Sequence, residues 1–320
     1  MDRNPEKRIV LCFLMILQAI LVLVPAECHA WGAGIHIADG LFVLGNLASL
    51  QPAIAAAIAA YPYDYLYGCI SADIFIGKGY KRRDDHCHNW SVAEKMMPRI
   101  KTNSERAFMF GYLSHLAADV IPHNFFIPNQ LYMTPTSRRI GHVYWELRSD
   151  VLMEPEIWKV AMRVIEKHNK KNDLFMRKTI KKTLFPFFAK KRVYFRSIKI
   201  HNIKLWKKTF SAVSNYSRWE VDRDYIMRLN AMSLNLVMDF LKNPRYAICL
   251  KYDPVGTDNM IAAKKMRRAE KKFSGNSPSQ KIFFIPREIE ELSMENQKEL
   301  HDLNIDKLLA PLQFYMKKGN

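Results

Sequence analysis

The chain has 320 residues, 49% of them hydrophobic, with only 12 Gly and 15 Pro. That composition excludes a collagen-like or loop-dominated protein and supplies apolar side chains for a sizeable core. The formal charge of +18 is unevenly placed: residues 1–150 carry 14 Lys+Arg against 13 Asp+Glu, and residues 151–320 carry 35 against 18. The asymmetry points to a chemical first half and a surface-binding second half.

Residues 1–30 read as an export signal. Arg3, Lys7 and Arg8 precede an apolar run over 9–25, interrupted only by Gln18, and Cys28-His29-Ala30 offers small residues at −3 and −1 of a cleavage site. Cleavage there makes Trp31 the new N-terminus and sends the protein to a periplasmic or extracellular location. An uncleaved anchor is the competing reading. Of the five cysteines, Cys69, Cys87 and Cys249 remain after cleavage. A Cys69–Cys87 disulfide and three buried thiols both fit that number.

The rest of the chain repeats at helical spacing and reads as all-α. Ile37, Leu41, Leu44, Leu47, Ile54 and Ile58 mark helical segments over 37–60, with a break near Gln51-Pro52. A helix over 104–121 is expected to be capped by Ser104 and ended or kinked by Pro122. Residues 138–166 form another helical pattern, interrupted near Pro155. Residues 220–242 carry the apolar stripe Tyr225, Ile226, Leu229, Met232, Leu236, Met238 and Leu241, and 286–317 is helical again with a break at Pro311. The expected organisation is a signal over 1–30, a helical domain over 31–245 and a helical tail over 246–320. No internal repeat is evident.

The chemistry lies in the histidines. Residues four apart on an α-helix differ by only about 40° around the axis. His115 and Asp119 therefore share one face, as do His142 and Glu146. Two helices facing each other with such pairs make a bundle-core metal site. His123 follows Pro122, His86 and His88 lie in a polar segment, and Asp73 sits in the apolar run Cys69–Ile76. A carboxylate there is costly without a charged partner or a cation. Spacing alone points to a multinuclear metal site.

These residues resemble the zinc-dependent phospholipase C family, whose relatives include fungal single-strand nucleases and the catalytic domain of a glycosylphosphatidylinositol-specific phospholipase D. In that family the mature chain begins with Trp, whose amino group and carbonyl oxygen chelate zinc. Here Trp31-Gly32 follows the cleavage site and His36 comes five residues on. The resemblance implies an all-α domain around three zinc ions. One would be held by Trp31, His36 and Asp119; a second by Asp73, His88 (preferred to His86), His115 and Asp119; a third by His123, His142 and Glu146. Asp73 would also orient or deprotonate the attacking water. The chain departs from the family in the short Asp119–His123 gap and in the basic second half.

The resemblance implies phosphoester hydrolysis with a phospholipid substrate or a single-stranded nucleic acid. Residues 160–213 carry 16 Lys+Arg against only Glu166 and Asp173, interleaved with aromatics such as Phe175, Phe188 and Tyr194. That mixture suits a membrane surface, a nucleic acid or a solvated helical face. A non-catalytic zinc-containing envelope protein is a third reading. No protein partner is implied.

Overall fold

The computed structural model describes residues 31–75, 86–135, 138–167, 169–180, 186–201, 222–275 and 278–294. Among them the fold is all-α, with no strand and no helix long and apolar enough to cross a membrane. The helices relevant here are α1 (Ala33–Gly45), α2 (Pro52–Ala60), α3 (Pro62–Ser71), α4 (Trp90–Met96), α5 (Asn103–Ile121), α6 (Ile127–Met133), α7 (Arg138–Asp150), α8 (Pro155–Glu166), α9 (Lys170–Thr179), α10 (Phe187–His201), α11 (Arg223–Lys242), α12 (Thr257–Ser274) and α13 (Arg287–Met294).

Helix α5 is the centre of the molecule. From Ala107 to Ile121 nearly every residue is buried, on all faces, which is the pattern of a helix surrounded by others rather than of one with a single apolar stripe. Helices α1, α2, α3, α4 and α11 pack round it. Its start is a capping box: Glu105 N–H donates to Thr102 Oγ1 at 3.1 Å, and Thr102 N–H donates to Glu105 Oε2 at 3.1 Å. The expected cap, Ser104, has another role; its hydroxyl donates to Asp64 Oδ1 at 3.0 Å, tying α5 to α3.

Helices α3 and α5 approach each other closely through two glycines. A Cβ on Gly68 would lie 2.1 Å from Phe108 O, and one on Gly111 would lie 1.9 Å from Tyr65 O. Backbone thus meets backbone, and the C-terminal end of α3 is brought against the middle of α5. The 3-10 turn Ala72–Ile74 that follows α3 carries Asp73 into this contact.

Pro122 ends α5, as its missing N–H requires, but the chain does not leave the helical path. It continues through a π-helical turn, Pro122–Phe126, directly into α6. Such widened turns rotate the side chains that follow. The 138–166 pattern is two helices, α7 and α8, with Pro155 opening the second at its first position. The expected 286–317 helix is described as α13; the remainder of that pattern lies outside the described residues, as do residues 1–30.

Gly111→Ala tests the α3–α5 contact. Alanine gains up to about 1 kcal/mol in helix propensity, but a backbone clash at 1.9 Å outweighs it. Net destabilisation of about 3 kcal/mol is expected, read as a lowered denaturant midpoint.

Candidate metal centre

Five titratable side chains from four elements meet beneath the surface. His36 comes from α1, Asp73 from the turn after α3, His88 from the segment before α4, and His115 and Asp119 from α5; all are at most 1% exposed. Asp119 Oδ1 lies 3.3 Å from His36 Nε2. Its Oδ2 lies 3.2 Å from His115 Nε2, 3.5 Å from His88 Nε2 and 3.8 Å from His123 Nδ1. Asp73 Oδ1 lies 3.0 Å from His88 Nε2 and 3.8 Å from His115 Nε2. The rings of His36 and His115 stack with centroids 3.9 Å apart. Two sets, Asp73/His88/His115 and His36/His115/Asp119, each have their ligand atoms within 4.8 Å of one another.

Backbone carbonyls fix how the imidazoles face. His115 Nδ1 donates to Cys69 O at 2.8 Å, so in the neutral ring Nε2 keeps its lone pair and points it at the cluster. His88 Nε2 is only 2.9 Å from that same atom, a convergence of two basic nitrogens that suits a shared cation. His123 Nδ1 donates to the carbonyl of Pro254. For His115, whose Nε2 faces the cluster, orientation through the other nitrogen is the usual support of a metal site.

Electrostatics agree with this donor set. Burial alone pushes the Asp119 carboxyl up, but the charges of His115 and His123, with hydrogen bonds from His115 and His36, prevail and hold it well below the usual carboxylate range. Burial lowers His123, partly offset by Asp119 and the Pro254 carbonyl, and so favours the neutral ring. An ionised carboxylate at Asp119 and a neutral ring at His123 are the forms in which such groups bind zinc.

The sequence-predicted residues fall as follows. Asp73, His88, His115, Asp119 and His36 are brought together. Of the 86/88 pair, His88 faces the cluster; His86 Nδ1 instead accepts the His88 backbone N–H at 3.2 Å and groups with Cys87 and His88. His123 approaches Asp119 from the π-turn. Trp31 is fully buried, and its indole donates to Ser233 Oγ at 2.8 Å. That hydroxyl donates in turn to Ala118 O at 2.9 Å, one residue before Asp119. Glu146 lies on α7, half-buried; His142 lies on the same helix, and its side chain is outside the described residues. Cys69, Cys87 and Cys249 are buried free thiols, without the Cys69–Cys87 disulfide.

Three further groups serve the site and were not anticipated. Asp150, one turn beyond Glu146 on α7, is buried against the start of α1. A Cβ on Gly32 would lie 1.7 Å from its Oδ2, so the bare glycine makes room for this carboxyl at the start of α1. It thus lies against the N-terminus of the helix that carries His36. Tyr194 on α10 has a buried hydroxyl. Burial, then the charges of Asp73, Asp150 and Glu146, pushes it well above its ordinary range. Gly256, at φ +59°, packs where a Cβ would meet His123 O at 2.1 Å, holding the π-turn from outside. Asp150 was detectable by the same four-residue step that paired His142 with Glu146; Gly256 carried no local signal.

A helical protein with a buried, metal-ready histidine–aspartate centre is therefore the class that fold and site define. Residues 35–193 match the sequence model of the zinc dependent phospholipase C family. No curated protein and no solved structure gave a significant match. The family is one of phosphoester hydrolases, and its zinc requirement agrees with the donors assembled here.

Asp150 yields a pH prediction. Burial raises its carboxyl to about 8, so between the unfolded value near 3.9 and that folded value the native state binds more protons. Stability contributed by Asp150 must then fall as pH rises through this window, by at most about 1.4 kcal/mol per pH unit. In zinc-free protein, Asp150→Asn is expected to gain on the wild type in unfolding free energy from pH 5 to pH 8. Parallel stability curves for the two proteins would contradict it.

Proposed function

We propose that the mature protein is an exported zinc phosphodiesterase that cleaves phospholipid head groups. The observation that carries this reading is the convergence of His36, Asp73, His88, His115 and Asp119 in one buried cluster, within a segment of a phospholipase C family. Zinc held there supplies Lewis acidity, lowering the pKa of water and offsetting phosphoryl charge.

The chain's own residues do the remaining work. Asp119 would be shared between two ions, one held with Trp31 and His36, the other with Asp73, His88 and His115. His123, His142 and Glu146 are assigned to a third. Asp73 is the candidate general base, orienting the attacking water and accepting its proton at the carboxylate. His115 and His123 stay aimed through the carbonyls of Cys69 and Pro254. Because the imidazoles bind metal only when neutral, activity should fall in acid.

A single-strand nuclease is the second reading, favoured by the Trp31-Gly32 start with His36 five residues on. Incubation with phosphatidylcholine vesicles and with single-stranded DNA, each with and without chelator, separates the two. Chelator-sensitive release of head group is expected. Cleavage of DNA alone would assign the nuclease, and cleavage of neither would favour a zinc-binding envelope protein.

Asp119→Ala is expected to lose zinc and activity together, by elemental analysis and head-group release. Unchanged zinc content would refute the bridging role. The N-terminus is tested separately. A chain retaining one residue before Trp31 lacks the free α-amine and is expected to hold one zinc fewer. Equal zinc and equal turnover would remove Trp31 from the ligand set.

A further inference from the structure

Helix α10 has two functional faces. Its inner face buries Phe187, Tyr194 and Ile198 and packs against α8 and against the turn that carries Asp73. Its outer face, with the neighbouring stripe of α9, is exposed and carries cations and apolar side chains together. Leu174 is 51% exposed, Phe188 57% and Val193 37%, while Arg177, Arg192 and Arg196 are exposed among them. Arg177 lies over the Phe188 ring, 5.0 Å from its centroid, so the pair joins the two helices at the surface.

Acids are absent from this face. The one acidic residue of the two helices, Asp173, is buried and bound by Lys191 Nζ at 2.8 Å. The exposed cations of α9 and α10 are therefore not neutralised from within either helix. A ring and two aliphatic side chains set among guanidinium groups match the boundary of a bilayer, where apolar groups enter the acyl edge and cations meet phosphates.

We propose that the outer face of α9 and α10 docks the protein on anionic lipid, placing the helix beside Asp73 against the bilayer. Charge complementarity selects the occupant: a neutral surface would leave the cations without partners. The inference rests on the lipid reading of the substrate, and its test separates the two.

Zinc-loaded protein is sedimented briefly on ice with vesicles of phosphatidylcholine alone or mixed with phosphatidylserine, at low and high NaCl. The same is done with Arg192→Glu/Arg196→Glu and with Leu174→Ser/Phe188→Ser. Wild-type binding is expected to be roughly tenfold tighter to the anionic vesicles and to weaken with salt. Each double variant should lose about tenfold of that binding while hydrolysing a soluble short-chain phosphatidylcholine at the wild-type rate. Equal binding to both vesicle types, or variants that bind like wild type, would overturn the docking face. So would a charge-reversed variant that keeps vesicle binding but loses retention on single-stranded DNA. A wild type that docks on anionic vesicles but fails on the short-chain substrate would support the docking face and overturn only the catalytic reading.

Discussion

Two carboxylates, Asp73 and Asp119, are held entirely out of water, and the rest of the molecule is arranged around the cost of doing so. An ionised carboxylate in an apolar surrounding costs several kcal/mol unless opposite charge or donors compensate it. Four imidazoles within 3.8 Å of Asp119 supply part of that compensation. Imidazoles packed this tightly cannot all be protonated without repelling one another, and one of them, His123, is driven towards neutrality by its own burial. Divalent cations resolve the conflict, since they balance the carboxylates while leaving every ring neutral. The same electrostatic condition thus stabilises the core and defines its chemistry.

Close packing delivers these groups. Gly68 and Gly111 let α3 and α5 touch backbone to backbone, which puts the Cys69 carbonyl on His115 and Asp73 beside His88. The π-turn after Pro122 then leaves His123 Nδ1 3.8 Å from Asp119 Oδ2.

Legibility in the sequence followed the range of the interaction. His115 and Asp119 were readable because a four-residue step is a property of one helix, and α1, α5, α7, α8 and α11 were readable for the same reason. The cap of α5 was also local, yet it was placed on Ser104 when Thr102 and Glu105 form the capping box; the competing serine was free to bind Asp64 only because α3 lies alongside. His88 could not be told from His86 by spacing, since the choice depends on which ring faces α5. The glycine contact, the Ser233 link to Trp31 and the Pro254 carbonyl on His123 join residues far apart in the chain, and no local pattern encodes them.

Those long-range contacts also bear on where the functional unit ends. The family segment stops at residue 193, but Trp31 is fixed by Ser233 on α11, and His123 is aimed by Pro254 and enclosed by Gly256 at the entrance to α12. Asn124 donates to Asp253 O at 2.8 Å in the same junction. Tyr194, whose hydroxyl lies in the field of Asp73, Asp150 and Glu146, stands just past the segment's edge. Groups that orient metal ligands typically contribute about 10–100-fold to metal affinity or activity. The matched segment alone thus leaves out the partners of Trp31, His123 and Asn124, and the helices that follow it help to hold the candidate centre in place.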